Sequence, residues 1–275
     1  MLPAGLPDYH VHTFRCGHAG GESRSFVLAG LAAGLSEIAF TDHIPLYFLP
    51  SGSRDPKLAM REEQFDEYVA EVRGLAREFE GRIAVRLGLE ADYAEGREKD
   101  LARWLGRAEW DLVLGSVHWV AGGWIDAPGA PRRFEREGTE TLYREYYRLL
   151  GKAAATGLFD VLTHFDLPKK FGHRPIDPVE DAEEGAIAAA AAAGCAVEVS
   201  SAGLRKPIGE IYPEGRLLRQ LVAAGVPVTF SSDAHAPAEV GWGYDRTIAH
   251  ARAAGATTFV TLERRRKTAH PLPPT

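Results

Sequence analysis

Seven short apolar runs, each separated from the next by a segment of helical length, constrain this chain more than any other feature of it. Strands are expected at 7–13, 37–41, 82–89, 112–117, 159–162, 195–199 and 226–230. Helical spacing is expected from Ser23 to a stop at Gly34, with apolar positions at Phe26, Leu28 and Leu31. It recurs at 65–79, where Phe65, Val69, Val72, Ala76 and Phe79 oppose a charged face. Further helices are expected at 97–107, 139–156 (capped by Thr139, stopped by Gly157), 179–193, 214–224 and 244–254. An apolar segment at 257–262 closes the chain, and residues 44–60 and 120–138 read as long loops. Apolar strands alternating with helices imply parallel strands covered on both faces. Seven such units with no linker or composition shift predict one domain, 1–275, and a (β/α)7 barrel rather than an open sheet.

The ends of these strands carry one kind of residue. His10 and His12 lie on the first strand, where alternation points both imidazoles to one face. Asp42 and His43 end the second strand, Glu90 the third, His118 the fourth and His164 the fifth. Asp233 and His235 end the seventh, and His18 follows the first by a few residues. Of the 10 histidines only His173, His250 and His270 fall outside this set. In a barrel the C-terminal strand ends converge on one face, where active sites are built. So many imidazoles and carboxylates exceed what one tetrahedral or octahedral ion requires, so two or three divalent metals are expected, with Glu90 as the bridge.

The totals narrow the function classes. A net charge of −6 argues against broad nucleic-acid or anionic-membrane binding. The longest apolar stretch, 186–193, is too short to span a bilayer, and no secretory leader is legible at the N-terminus. Two cysteines, Cys16 and Cys195, make a disulfide framework improbable and point to a reducing, cytoplasmic setting. Oligomeric state is not legible.

These motifs resemble the polymerase-and-histidinol-phosphatase (PHP) superfamily. The resemblance rests on His10-Val11-His12, His18, Asp42-His43-Ile44-Pro45, Glu90, Gly115-Ser116-Val117-His118, His164-Phe165-Asp166 and Asp233-Ala234-His235. Cys16-Gly17-His18-Ala19 and Ser201-Ala202-Gly203-Leu204-Arg205-Lys206 are similar to its histidinol-phosphate phosphatase branch. The resemblance implies a distorted TIM-like barrel with a trinuclear centre at the C-terminal strand ends. By position, His10, His12, Glu90 and Asp233 would hold one metal. Glu90, His118 and His164 would hold a second, and His18, His43 and His235 a third. Zinc, iron and manganese all suit imidazole and carboxylate donors.

The implied reaction is hydrolysis of a small-molecule phosphate monoester, histidinol phosphate, in histidine biosynthesis. Clustered metals activate water and clamp phosphoryl oxygens. Glu90, Asp42, Asp233 and His235 are expected to carry the catalysis, Asp42 alternatively orienting an imidazole. Arg205, in the loop after the sixth strand, is the expected phosphate clamp, because guanidinium can bind two phosphoryl oxygens. Gly203 is expected to let that loop turn sharply, and Lys206, Lys169, Lys170 and Arg15 compete with Arg205 for the role. Neither a Cys-x5-Arg motif nor a Gly-x4-Gly-Lys-Ser/Thr loop is present. A phosphotyrosine or nucleotide phosphatase, an amidohydrolase and a metal-binding accessory domain are the rival readings.

Overall fold

The computed structural model describes residues 2, 3 and 5–273. Seven parallel strands lie in sequential order: β1 (Pro7–Val11), β2 (Glu37–Phe40), β3 (Ala84–Asp92), β4 (Leu112–Ser116), β5 (Val161–Leu162), β6 (Ala196–Ser200) and β7 (Val228–Ser231). Seven helices lie between them, α1 (Ser23–Ala33), α2 (Phe65–Glu78), α3 (Glu98–Leu105), α4 (Ala130–Glu137), α5 (Thr139–Ala155), α6 (Glu180–Ala193) and α7 (Gly215–Ala223), and α8 (Tyr244–Ala253) follows β7. Each of these seven strands is mostly buried, as expected of parallel strands covered on both faces. Gly34 ends α1 at φ +87°, its N–H returning to the Gly30 and Leu31 carbonyls, as the left-handed helix stop requires.

The barrel closes at the level of the ligand-type residues. The Ala234 N–H donates to the His10 carbonyl (3.0 Å), and the His12 N–H to the Ala234 carbonyl (2.9 Å). Below that bridge the Asp8 carboxylate joins the first and last strands. It accepts from the Ser232 N–H (2.9 Å), the Ser232 hydroxyl (2.6 Å) and the Gly241 N–H (2.9 Å). β3 runs longer than its neighbours: Glu37 to Phe40 pair with its first half and Leu112 to Ser116 with its second. Glu90 therefore sits inside the strand, two residues before its end, opposite Leu114.

Three expectations change. The apolar tail is the first half of a hairpin, β8 (Thr258–Glu263) and β9 (Arg266–Pro271), turning at Arg264 and Arg265, both at positive φ. Its Val260 and Leu262 pack with Tyr9, Ala39, Leu112, Leu114, Val161 and Ala196. The Tyr9 hydroxyl donates to Glu37 (2.6 Å) and accepts from the Leu262 N–H (2.8 Å), so the hairpin joins the apolar cluster at the foot of β1. The expected loop 120–138 contains α4 and the second strand of a small hairpin, Trp119–Val120 with Gly123–Trp124. Thr139 does not cap α5: Gly138 holds that position with no side-chain hydrogen bond.

Candidate active site

Alternation along β1 sets the floor of the site. His10, on β1, and His12, just past its end, are both fully buried, with ring centroids 5.0 Å apart. The Glu90 carboxylate meets them at 3.1 and 3.5 Å through Oε2, which also lies 2.8 Å from His43 Nδ1. Its other oxygen faces His164 Nε2 at 3.2 Å and His118 Nε2 at 3.6 Å. Asp233 Oδ1 lies 3.1 Å from His12 Nε2 and 3.8 Å from His10 Nε2. His18 and His235 face one another, Nε2 to Nε2, at 2.9 Å, and His43 completes their group. All nine residues expected as metal donors thus converge, although they come from six strands and one loop. Zinc–ligand distances of about 2.0–2.2 Å place tetrahedral neighbours roughly 3.3–3.6 Å apart, close to these separations.

Electrostatics favours a cation here. Burial alone would raise the Glu90 carboxyl, but His43, His10 and His118 hold it well below the usual carboxylate range. Asp233 is likewise lowered, by His10 and His235 against burial. Burial opposes protonation of His10, yet Glu90, Glu198 and Asp233 outweigh it and raise that imidazole. Asp92 and Glu90 similarly raise His118 to about 10 against the pull of burial. Burial and His43 push His12 down to about 3, and burial and His12 push His235 well below its ordinary value. Neutral imidazole is the form that ligates. Among the described residues His10 Nε2, both His12 nitrogens and Glu90 Oε2 are buried without a hydrogen-bond partner. Orphaned polar atoms are costly inside a protein. Lone pairs from imidazole and carboxylate aimed at common points are satisfied by divalent ions, so the residues fit a metal centre.

Other side chains fix these rings. His118 Nδ1 lies 2.8 Å from Asp92 and His10 Nδ1 3.0 Å from Glu198. Asp42, 3.6 Å from His12 Nδ1, makes no hydrogen bond to that ring and accepts instead from the Thr13 N–H (2.9 Å) and hydroxyl. It is fully buried and does not line the cavity. Asp92 and Glu198 were not anticipated. Asp92 stands two residues after Glu90, and Glu198 is a lone charge in the apolar run Ala196 to Val199; both patterns are legible in retrospect.

A cavity of about 300 Å³ opens above the donors. Beyond them its wall includes Asp126, Lys170, Lys206, Tyr212 and Glu239, of which only the two lysines were expected. The other three expected cations are engaged elsewhere. Lys169 is fully buried, its ammonium on Asp166 (2.9 Å), Glu210 (3.2 Å) and the Ile211 carbonyl (2.8 Å). Arg15 is buried against Glu71 at 2.6 Å. Arg205 donates to the Ser232 and Asp233 carbonyls (2.7 and 3.1 Å) and lies 3.3 Å from Glu239. Gly203 has no positive φ; a Cβ there would lie 2.0 Å from the Glu210 carbonyl, so close approach, not turn geometry, calls for glycine.

Comparison with known proteins agrees with this picture. The PHP domain family matches residues 8–202. The chain is 43% identical over 262 residues to a probable histidinol-phosphatase of Deinococcus radiodurans, spanning 95% of this chain and 98% of that protein. It is 28% identical to a histidinol-phosphatase of Bacillus subtilis, over 86% and 96% of the respective chains. A solved histidinol phosphate phosphatase of Lactococcus lactis, in complex with zinc, L-histidinol and phosphate, superposes with a TM-score of 0.82 at 21% identity. That match covers 97% of this chain and 100% of the other.

Proposed function

The chain belongs to the PHP domain family, and on that premise we propose that it is a metal-dependent phosphomonoesterase, as one domain over 1–275. It hydrolyses L-histidinol phosphate to L-histidinol and phosphate. The observation that carries this reading is the 43% identity, nearly end to end, with a probable histidinol-phosphatase. The zinc, L-histidinol and phosphate bound by the Lactococcus lactis protein support it.

His10, His12, Glu90 and Asp233 would hold one ion, Glu90, His118 and His164 a second, and His18, His43 and His235 a third. Zinc, iron or manganese suits this set. Bound there, such ions neutralise phosphoryl charge and lower the pKa of water. The chain's own residues do the rest. Glu90, whose two oxygens face different imidazoles, holds the groups together. Lys206 and Lys170 line the cavity, where a phosphomonoester brings about −1.5 to −2 charge; Lys170 already has its ammonium on Asp126 (3.0 Å). Arg205 secures the backbone carrying Asp233, and Asp42, accepting from the Thr13 N–H, holds the backbone just after His12 as a positioning residue. The enzyme acts on a small molecule; the structure offers, among its described residues, no helix long and apolar enough to cross a membrane.

The test is a substrate panel: histidinol phosphate, p-nitrophenyl phosphate, phosphotyrosine, a nucleotide and an N-acyl compound. Histidinol phosphate should give the highest kcat/KM. A kcat/KM no better than for p-nitrophenyl phosphate would overturn the assignment.

A further inference from the structure

Strand β6 carries a residue with no expected role. Glu198 is 1% exposed in a strand otherwise made of small and apolar residues, and each of its oxygens meets a different donor. Oε2 lies 3.0 Å from His10 Nδ1, and Oε1 accepts the backbone N–H of His164 at 2.7 Å. His164 sits at φ +24°, a conformation that costs a residue with a Cβ and persists only where its surroundings enforce it. One carboxylate thus spans β1, the end of β5 and β6.

We propose that Glu198 is a positioning residue for two metal donors, fixing the tautomer of His10 with one oxygen and the strained backbone of His164 with the other. The inference rests on the reading of His10 and His164 as metal donors. An ionised carboxylate only accepts hydrogen bonds. His10 Nδ1 must therefore carry the proton, which leaves the Nε2 lone pair facing Glu90 Oε2 and Asp233 Oδ1. That is the tautomer that ligates. Nothing else among the described residues hydrogen-bonds His10 Nδ1.

Glutamine discriminates this role from bulk packing. Glu198→Gln keeps the volume but offers one acceptor and one donor. If its oxygen faces the His164 N–H, its amide N–H2 points at His10 Nδ1 and favours the Nε2-protonated tautomer, which cannot ligate through Nε2. If its oxygen faces His10, the His164 N–H loses its acceptor. Glu198→Asp keeps two acceptor oxygens and should retain zinc better than Glu198→Gln.

The experiment uses the full chain. Zinc affinity is read by competition with a chromophoric chelator, and thermal melting is measured after chelator treatment. The His10 tautomer is read in the zinc-loaded wild type by long-range proton–nitrogen NMR correlation. We expect His10 protonated at Nδ1 in the wild type, and zinc affinity about 10–100-fold weaker in Glu198→Gln, with a smaller loss in Glu198→Asp. Wild-type zinc affinity in Glu198→Gln overturns the proposal, even if the metal-free variant melts earlier, because a packing role would move only the melting. Nε2-protonated His10 in the zinc-loaded wild type overturns it without any variant. A wild-type chain that took up no zinc, iron or manganese would instead refute the metal-centre reading itself, and the proposal with it.

Discussion

At the residue scale the site is organised by a single carboxylate. Glu90 Oε2 approaches His10, His12 and His43 within 3.5 Å, and Oε1 approaches His164 at 3.2 Å. Glu90→Gln keeps the shape and removes the charge that offsets the cations on both sides. Metal content should fall, and kcat/KM should drop at least 10–100-fold, the range seen even for damage outside the ligands themselves. Elemental analysis with kinetics checks this, and wild-type values for both would remove Glu90 from the centre. The cations separate into two behaviours. Lys206→Ala deletes a charge that faces the cavity, so KM for the phosphate monoester should rise roughly 10–100-fold with metal content intact, as loss of a charged hydrogen bond implies. Arg205→Lys should do the opposite, because Arg205 holds the Ser232 and Asp233 carbonyls. Asp233 sits at φ +50° and needs that support. Metal retention should fall while KM changes little. If instead Arg205→Lys raises KM with metals retained, Arg205 itself touches phosphate.

At the element scale the seam between β1 and β7 decides whether the donors meet. The bridge through Ala234 lies between Asp233 and His235 and pairs with the backbone of His10 and His12. The four donors nearest the seam are thus placed by the hydrogen bonds that close the barrel. Asp8 holds the seam below, accepting from two backbone N–H groups and a hydroxyl while fully buried. Asp8→Ala orphans those donors, and stability should fall by roughly 2–5 kcal/mol. Denaturant unfolding measures it; a loss under about 1 kcal/mol would mean the seam is held by something other than Asp8. The alternation of strands and helices was legible because each element has its own period, and most boundaries shifted by only one or two residues. The C-terminal hairpin was not, because Arg264-Arg265 lacks the glycine or asparagine that usually marks a turn with two positive φ angles.

At the scale of the whole molecule, the proposed metal centre predicts a link between metal binding and fold stability. Ions that bind the folded chain and not the unfolded one stabilise it by about 4 kcal/mol when free metal exceeds its dissociation constant a thousandfold. Protein purified without chelator should contain clearly more than one transition metal per chain. Stripping it should lower Tm by several degrees, and zinc should restore it. A stoichiometry of one or less, unchanged by added zinc, manganese or iron, would count against the three-group arrangement.

What the sequence determined by itself is the type and order of the elements and the imidazoles and carboxylates at the strand ends, the proposed donors. Strand and helix periods are local, and two histidines at i and i+2 of a strand share its face whatever the rest of the chain does. Only the tertiary structure decided which groups stand behind those donors and which cations reach the cavity. Glu198 meets His10 across 188 residues of sequence, and Asp8 meets Ser232 across 224. Lys169 and Lys170 are adjacent in sequence, yet one is fully buried on Asp166 and Glu210 and the other pairs with Asp126 at the cavity wall. The turn at Leu167–Phe171 gives successive side chains different directions, and no local pattern records what each will find there.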